Sequence, residues 1–152
     1  MNSTAGRSSQ ELGNRPKMAD GYHQLGMVAQ LRGRLDEAAD WYTRSLAIKE
    51  ELGDQPAMAL SYGQLGLLAE ARGSPGQTLE WTVRCVVLFD DFPHPSTGPG
   101  PDHLARLTRQ LGIPALEACW QLVTGGPLPG AVRDYVHAYR PDPGDAPEGA
   151  GR

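Results

Sequence analysis

Cysteine is scarce in this chain. Cys85 and Cys119 are the only two in 152 residues, and each lies in an apolar helical stretch, so no disulfide framework is expected and buried free thiols are. Long apolar runs are missing too. No window approaches the roughly eighteen uninterrupted apolar residues of a membrane span, and the N-terminus lacks the apolar core of a secretory signal. A soluble, cytoplasmic protein without a membrane partner is expected. Basic residues are no more abundant than acidic ones, 14 Lys and Arg against 18 Asp and Glu, for a formal charge of -4. No stripe of Lys and Arg dominates any segment, which excludes a phosphate-backbone binder and with it nucleic acid.

Metal and phosphate chemistry lack their residues as well. His23, His94, His103 and His137 include no pair at an i, i+4 ligand spacing on one helix, so no metal is expected. Gly125, Gly126 and Gly130 come without the Lys and Ser of a phosphate loop. No cofactor is expected.

Glycine and proline, by contrast, are plentiful, at 19 and 13 residues. At the two ends they accompany small polar residues: 1–10 (MNSTAGRSSQ) and 141–152 (PDPGDAPEGAGR) offer too little apolar surface to offset their ordering entropy, and both are expected to be disordered. Between the ends the same residues act as punctuation. Residues 11–50 and 51–90 align without a gap at a period of 40, pairing Leu12 with Leu52, Gly13 with Gly53, Pro16 with Pro56, Tyr22 with Tyr62, Leu25 with Leu65, Gly26 with Gly66, Gly33 with Gly73 and Trp41 with Trp81.

Each block reads as two helices and a tight turn. Asp54 is a good N-cap, Pro56 fits a first turn, and Gly73 suits a positive-φ helix stop, with Asn14, Pro16 and Gly33 in the same roles in the first block. Met58, Tyr62, Leu65 and Ala69 make one helical face; Leu35, Ala38, Ala39, Tyr42, Leu46 and Lys49 make another, on a helix that ends at Gly53. Gly26 and Gly66 fall mid-helix, where glycine costs about 1 kcal/mol against alanine, so close approach of a partner helix is expected there. Trp41 and Trp81 share a register and are expected to pack between neighbouring hairpins, with Arg44 and Arg84 covering apolar surface three residues on.

Tyr22, Leu25, Gly26, Ala29, Ala38, Tyr42, Ser45 and Leu46 resemble the signature of the tetratricopeptide repeat family. The second block keeps Tyr62, Leu65, Gly66 and Ala69 but departs at Thr78, Thr82 and Cys85. A spacing of 40 exceeds the common period of about 34 and is similar to the longer kinesin-light-chain-like and bacterial variant. The resemblance implies an all-α fold of antiparallel helical hairpin repeats, a TPR-like α-solenoid with a short C-terminal capping helix.

The period is lost after Asp90, where 91–102 reads as a Pro/Gly linker. Three shorter stripes follow in 103–140: Leu104, Leu107 and Leu111; Leu116, Trp120 and Val123; Val132, Tyr135, Val136 and Tyr139. They are expected to form a degenerate third hairpin and a cap. At the other end Glu11, Leu12 and Gly13 align with residues that finish a second helix, yet 1–10 has no apolar periodicity to supply that helix. The first repeat is therefore expected to expose a face that a neighbour covers elsewhere, available for self-association or docking.

The resemblance implies a concave groove lined by the first helix of each repeat: Asp20, His23, Met27, Gln30 and Leu31 in the first block, Leu60, Gly63, Leu67, Glu70 and Ala71 in the second. The Lys and Asn of the family's carboxylate clamp are absent, their places taken by His23, Gly63, Met27 and Leu67, so an apolar or amphipathic helix is the expected partner. The chain is expected to be a protein-interaction module and not an enzyme. Two other functions compete: a sensor part of a larger signalling ATPase, and a small enzyme using Cys119 with His103 or His137.

Overall fold

A computed structural model describes residues 9–140 of the chain, with side chains from residue 13 onward. The expectations placed on 1–8 and 141–152 lie outside the described residues. Among the described residues there are seven α-helices and no strand: α1 (Ser9–Leu31), α2 (Leu35–Leu52), α3 (Gln55–Ala71), α4 (Pro75–Val86), α5 (Gly100–Leu111), α6 (Ile113–Thr124) and α7 (Gly130–Ala138). The fold is an all-α helical repeat.

Glycine sets the turns. Gly33, Gly53 and Gly73 take φ of 75°, 67° and 76°, a left-handed conformation that a side chain resists. Each is followed by the same closure, the N–H of Arg34, Asp54 and Ser74 donating to the carbonyls of Ala29, Lys49 and Ala69, which is how a helix ends in a Schellman turn. Asp54 then caps α3, its Oδ1 accepting from the Ala57 N–H at 3.2 Å.

The start of the first block departs from its expected pattern. Gly13, Asn14 and Pro16 do not end one helix and cap the next; α1 runs unbroken through them from Ser9. Gly53 has a folded hairpin on each side to hold its left-handed φ, whereas among the described residues nothing is packed N-terminal to Gly13. Ser9 and Gln10, expected to be disordered, belong to the first turn of α1.

Packing follows the repeat. α1 pairs with α2 and α3 with α4, and α2 lies on α3 to join the hairpins. Ser45 Oγ donates to the Ala19 carbonyl at 2.8 Å, and forty residues on Cys85 Sγ reaches the Ala59 carbonyl at 3.6 Å. A Cβ at Gly26 would stand 2.6 Å from two ring carbons of Tyr42, so the glycine is what admits that ring. Gly66 is less crowded, its nearest neighbour being the Trp81 Cβ at 3.5 Å. Both tryptophans pack on the core shared by the two hairpins, and Trp81 borders a cleft with Ala39 and Thr43 of the preceding hairpin. Trp41 stacks on Tyr22 at 5.7 Å and Trp81 meets Tyr62 at 5.8 Å, each within its own hairpin. Arg44 covers Trp41 at 4.9 Å, while Arg84 turns instead to Glu80.

Two cores meet at α4. Ala29, Ala38, Tyr42, Leu46, Ala59, Tyr62, Leu65 and Leu68 form the first together with Cys85; Leu79, Val83 and Val86 join Leu104, Leu107, Leu116, Trp120, Val132 and Val136 in the second. The connection from α4 is more ordered than a linker. Thr97 and Pro101 are buried, a 3-10 turn spans Pro95–Thr97, and α5 already begins at Gly100. Proline explains both features, since Pro95 and Pro101 each sit in a first turn where a missing N–H costs nothing. α5 and α6, joined by Gly112 alone, both pack on α4, and α7 folds back on α5.

Candidate functional site

On α3 the residues Leu60, Gly63, Leu67 and Glu70 follow at spacings of three, four and three, which puts them on one face. That face is not the one α3 buries against α2. Leu60 and Leu67 remain about half exposed, at 52% and 47%, an unusual placement for two leucines on a helix whose opposite side supplies Leu65 and Leu68 to the core. Between them Gly63 removes a side chain, and the space it leaves is part of an apolar cavity of about 200 Å³. Thr82 and Cys85 of α4 form its floor, and the 96–100 segment and His103 close the far side. The ordered turn after α4 is thus what makes the face of α3 concave.

A wider cleft continues from Leu67, Pro99 and His103 to Glu70, Asp102, Arg106 and Tyr139. Its electrostatics are organised around Glu70. Arg106 donates to both carboxylate oxygens, at 2.9 and 3.2 Å, and His103 Nε2 lies 3.6 Å from Glu70 Oε1. The Arg106 hydrogen bonds outweigh partial burial and hold the Glu70 carboxyl below its usual range. His103 moves down as well, first because burial disfavours its charged form and then because Arg106 is close, with Glu70 opposing. Both of the leading effects favour its neutral form.

The α1 half of the expected groove has different chemistry. Asp20 and Met27 are exposed, His23 and Gln30 are half-buried, and Leu31, at the helix end, is 87% exposed and stands apart from the others. His23 packs on the Tyr42 ring at 5.2 Å, and the Tyr42 hydroxyl donates to Gln30 Oε1 at 2.8 Å. Behind His23 a cation is buried. Lys49 of α2 is only 6% exposed, and its Nζ donates to Ser61 Oγ of α3 at 2.8 Å. Burial pushes the Lys49 ammonium down while Asp20 and Asp54 oppose the shift. His23 is lowered by its own burial and by the Lys49 charge, with Asp20 opposing.

Of the ten expected groove residues, the structure brings Leu60, Gly63 and Leu67 together on one cavity and sets Glu70 in the adjoining cleft. Ala71 is exposed at the end of α3, and the five residues of α1 line neither space. Pro99 and Arg106 lie where the repeat period is lost and carry no signal of their own, and His103 stands out in the sequence only as a histidine, not as a neighbour of Glu70. Lys49 did leave a signal, as the single charge in the apolar stripe of α2.

Cys119 has the opposite of an activated nucleophile's environment: it is half-buried against the second core, and burial pushes its thiol up to about 11. Among the described residues no group of three or more His, Cys, Asp or Glu is arranged to hold a metal ion, and no helix is long and apolar enough to cross a membrane. Residues 17–81, which span α2 and α3 and most of α1 and α4, match the tetratricopeptide repeat family model. No curated protein matches the chain.

Proposed function

Because residues 17–81 of this chain are tetratricopeptide repeats, a class that mediates protein–protein interaction, we propose that the protein binds a peptide or helix in the concave groove of α3. The observation that carries this is the pair Leu60 and Leu67, half exposed on either side of Gly63 over an apolar cavity. Neither leucine serves the core, and surface that is both apolar and concave is what helix-in-groove recognition uses. The partner is an apolar or amphipathic helix. Residues 11–90 act as the recognition unit and 103–140 as the cap, while the 96–100 segment and His103 complete the cavity wall. Affinity capture from native lysate tests this with the double variant Met27→Glu and Leu67→Glu. Proteins captured by the wild type are expected to be lost, and undiminished capture overturns the groove assignment.

A second mode has its own observation. Leu25 and Val28 on α1 are 44% and 43% exposed, whereas their counterparts forty residues on, Leu65 and Leu68, are 4% and 1% exposed. We infer that this uncovered face, with Met18 beside it, supports association with a second copy. Light scattering across a concentration series checks it: a mass that rises with concentration and falls back in Leu25→Glu supports the contact, and a constant monomer mass rules it out.

A further inference from the structure

We propose that the uncovered face of α1 is a docking site for an acidic-edged amphipathic helix of another protein, laid antiparallel across α1 as α2 lies across α3. This site shares its surface with the self-contact inferred above and does not depend on the groove of α3. The repeat supplies the template. Met18, Tyr22, Leu25, Val28 and Arg32 stand forty residues before Met58, Tyr62, Leu65, Leu68 and Arg72, so α1 keeps the residue types with which α3 receives a helix. On α3 that set is in use. The Tyr62 hydroxyl donates to Glu50 Oε2 at 3.3 Å, Arg72 pairs with Asp36 at 2.8 Å, and Leu65 and Leu68 are buried beside Ala39 and Thr43 of α2. On α1 Leu25 and Val28 are half exposed, and the Tyr22 hydroxyl and Arg32 have no polar partner among the described residues.

α2 shows what fits. Asp36, Ala39, Thr43, Leu46 and Glu50 recur at spacings of three, four, three and four, which makes one stripe along the helix. Carboxylates end that stripe, and small and apolar residues fill it. Order along the two helices sets the direction, since Glu50 meets Tyr62 while the earlier Asp36 meets the later Arg72. Lys49 of α2 reaches Ser61 of α3 at 2.8 Å, but the counterpart of Ser61 on α1 is Gly21, with open space where its Cβ would be. The docking helix therefore carries an apolar residue in place of that lysine.

The charges round the face select the partner. Lys17 and Arg32 flank it with no ion pair among the described residues, and Asp20, the only carboxylate of α1 from residue 13 on, lies off it beside His23 and Lys49. Arg15 is spent on Glu51 and Arg34 on Glu37, and Asp40 at the α2 edge has Arg44 one turn on, over Trp41. The face is thus net cationic and complements carboxylates. Two copies meeting here oppose one cationic face to another, so the self-contact yields to an acidic helix.

The probe is the acetylated and amidated peptide of α2, residues 35–52 with Lys49→Leu, and a charge-reversed form adds Asp36→Lys and Glu50→Lys. Titrated into the full chain, the acidic peptide is expected to shift the NMR methyl signals of Met18, Leu25 and Val28 and to leave those of Leu60 and Leu67 in place. It is expected to bind at least fivefold tighter than the reversed peptide. Arg32→Glu changes an exposed residue with no ion pair to lose, so the variant folds, and it is expected to cut that preference to below twofold. Leu25→Glu, checked for wild-type helicity, is expected to abolish binding. Equal affinity of the two peptides or a preference unchanged in Arg32→Glu overturns the proposal. So do shifts at Leu65 and Leu68 in place of the α1 methyls, which report exchange with the chain's own α2. Light scattering separates docking from self-association. A monomer that binds the peptide supports the docking helix without a second copy, whereas a dimer whose mass the peptide leaves unchanged overturns it and leaves the second copy standing.

Discussion

The two hairpins are alike in register and unlike in surroundings. Leu25 and Leu65 are the same residue at the same place in the repeat, yet one is 44% exposed and the other 4%. The difference lies outside the hairpins themselves: α3 has α2 lying across it, and α1 has no such neighbour among the described residues. A repeat position is thus a statement about which face a side chain occupies, and its energetic worth depends on whether a neighbouring hairpin is there. The inner faces diverge as well. On α1 that face carries Asp20 and His23 near the buried Lys49, with Met27 and Gln30 further along; on α3 it is Leu60, Gly63 and Leu67 over a cavity.

The largest effect that sharpens this contrast is truncation of the paired leucines. Leu65→Ala is expected to cost about 2–5 kcal/mol, as buried leucines do, and Leu25→Ala less than about 1 kcal/mol. Denaturant unfolding of both variants measures the gap. Equal losses would mean that the α1 face is covered, and the comparison would break.

The mid-helix glycines should part in sign. Gly26→Ala drives a methyl to 2.6 Å from the Tyr42 ring, and overpacking of that kind costs about 1–3 kcal/mol. At Gly66 the nearest neighbour stands at 3.5 Å, so the helix-propensity gain of alanine, about 0.5–1 kcal/mol, outweighs it. Thermal melts of the two single variants show whether Tyr42 packs more tightly on α1 than Trp81 does on α3.

A smaller effect appears with acid. His23 and His103 are both held below their usual range, chiefly by burial, so the unfolded chain takes up protons first as pH falls. Their stabilising contribution is complete above about pH 6.5 and is lost as pH drops through the lowered folded values. Lys49→Met removes the cation beside His23 and is expected to flatten the acid side of the stability–pH profile. His103→Gln should flatten it independently. A profile identical to wild type in Lys49→Met would place the buried charge too far from His23 to matter.

Much of this architecture was legible in the sequence. Gly33, Gly53 and Gly73 marked the turns because a tight helix stop demands a positive φ, and the face of Met58, Tyr62, Leu65 and Ala69 was visible in its spacing. Period alone misled at Gly13 and Pro16, where the pattern of a turn survives but no packed neighbour among the described residues enforces one. It also fell silent after Asp90. Pro99, His103 and Arg106 form a wall of the groove from a segment whose composition reads as linker, because burial of Thr97 and Pro101 depends on contacts that no local pattern encodes. Of the ten expected groove residues, Leu60, Gly63 and Leu67 line a cavity because a later part of the chain returns beside α3, which no local pattern on α3 encodes.

The central claim is that recognition resides in the second hairpin's groove, and Met27 and Leu67 test it as a matched pair, 44% and 47% exposed at equivalent positions. Quantitative affinity capture with the single variants Met27→Glu and Leu67→Glu, each checked for wild-type helicity, is the direct measurement. Leu67→Glu is expected to reduce the captured partner at least tenfold and Met27→Glu to reduce it much less. Equal retention by both variants, or a loss confined to Met27→Glu, would contradict it.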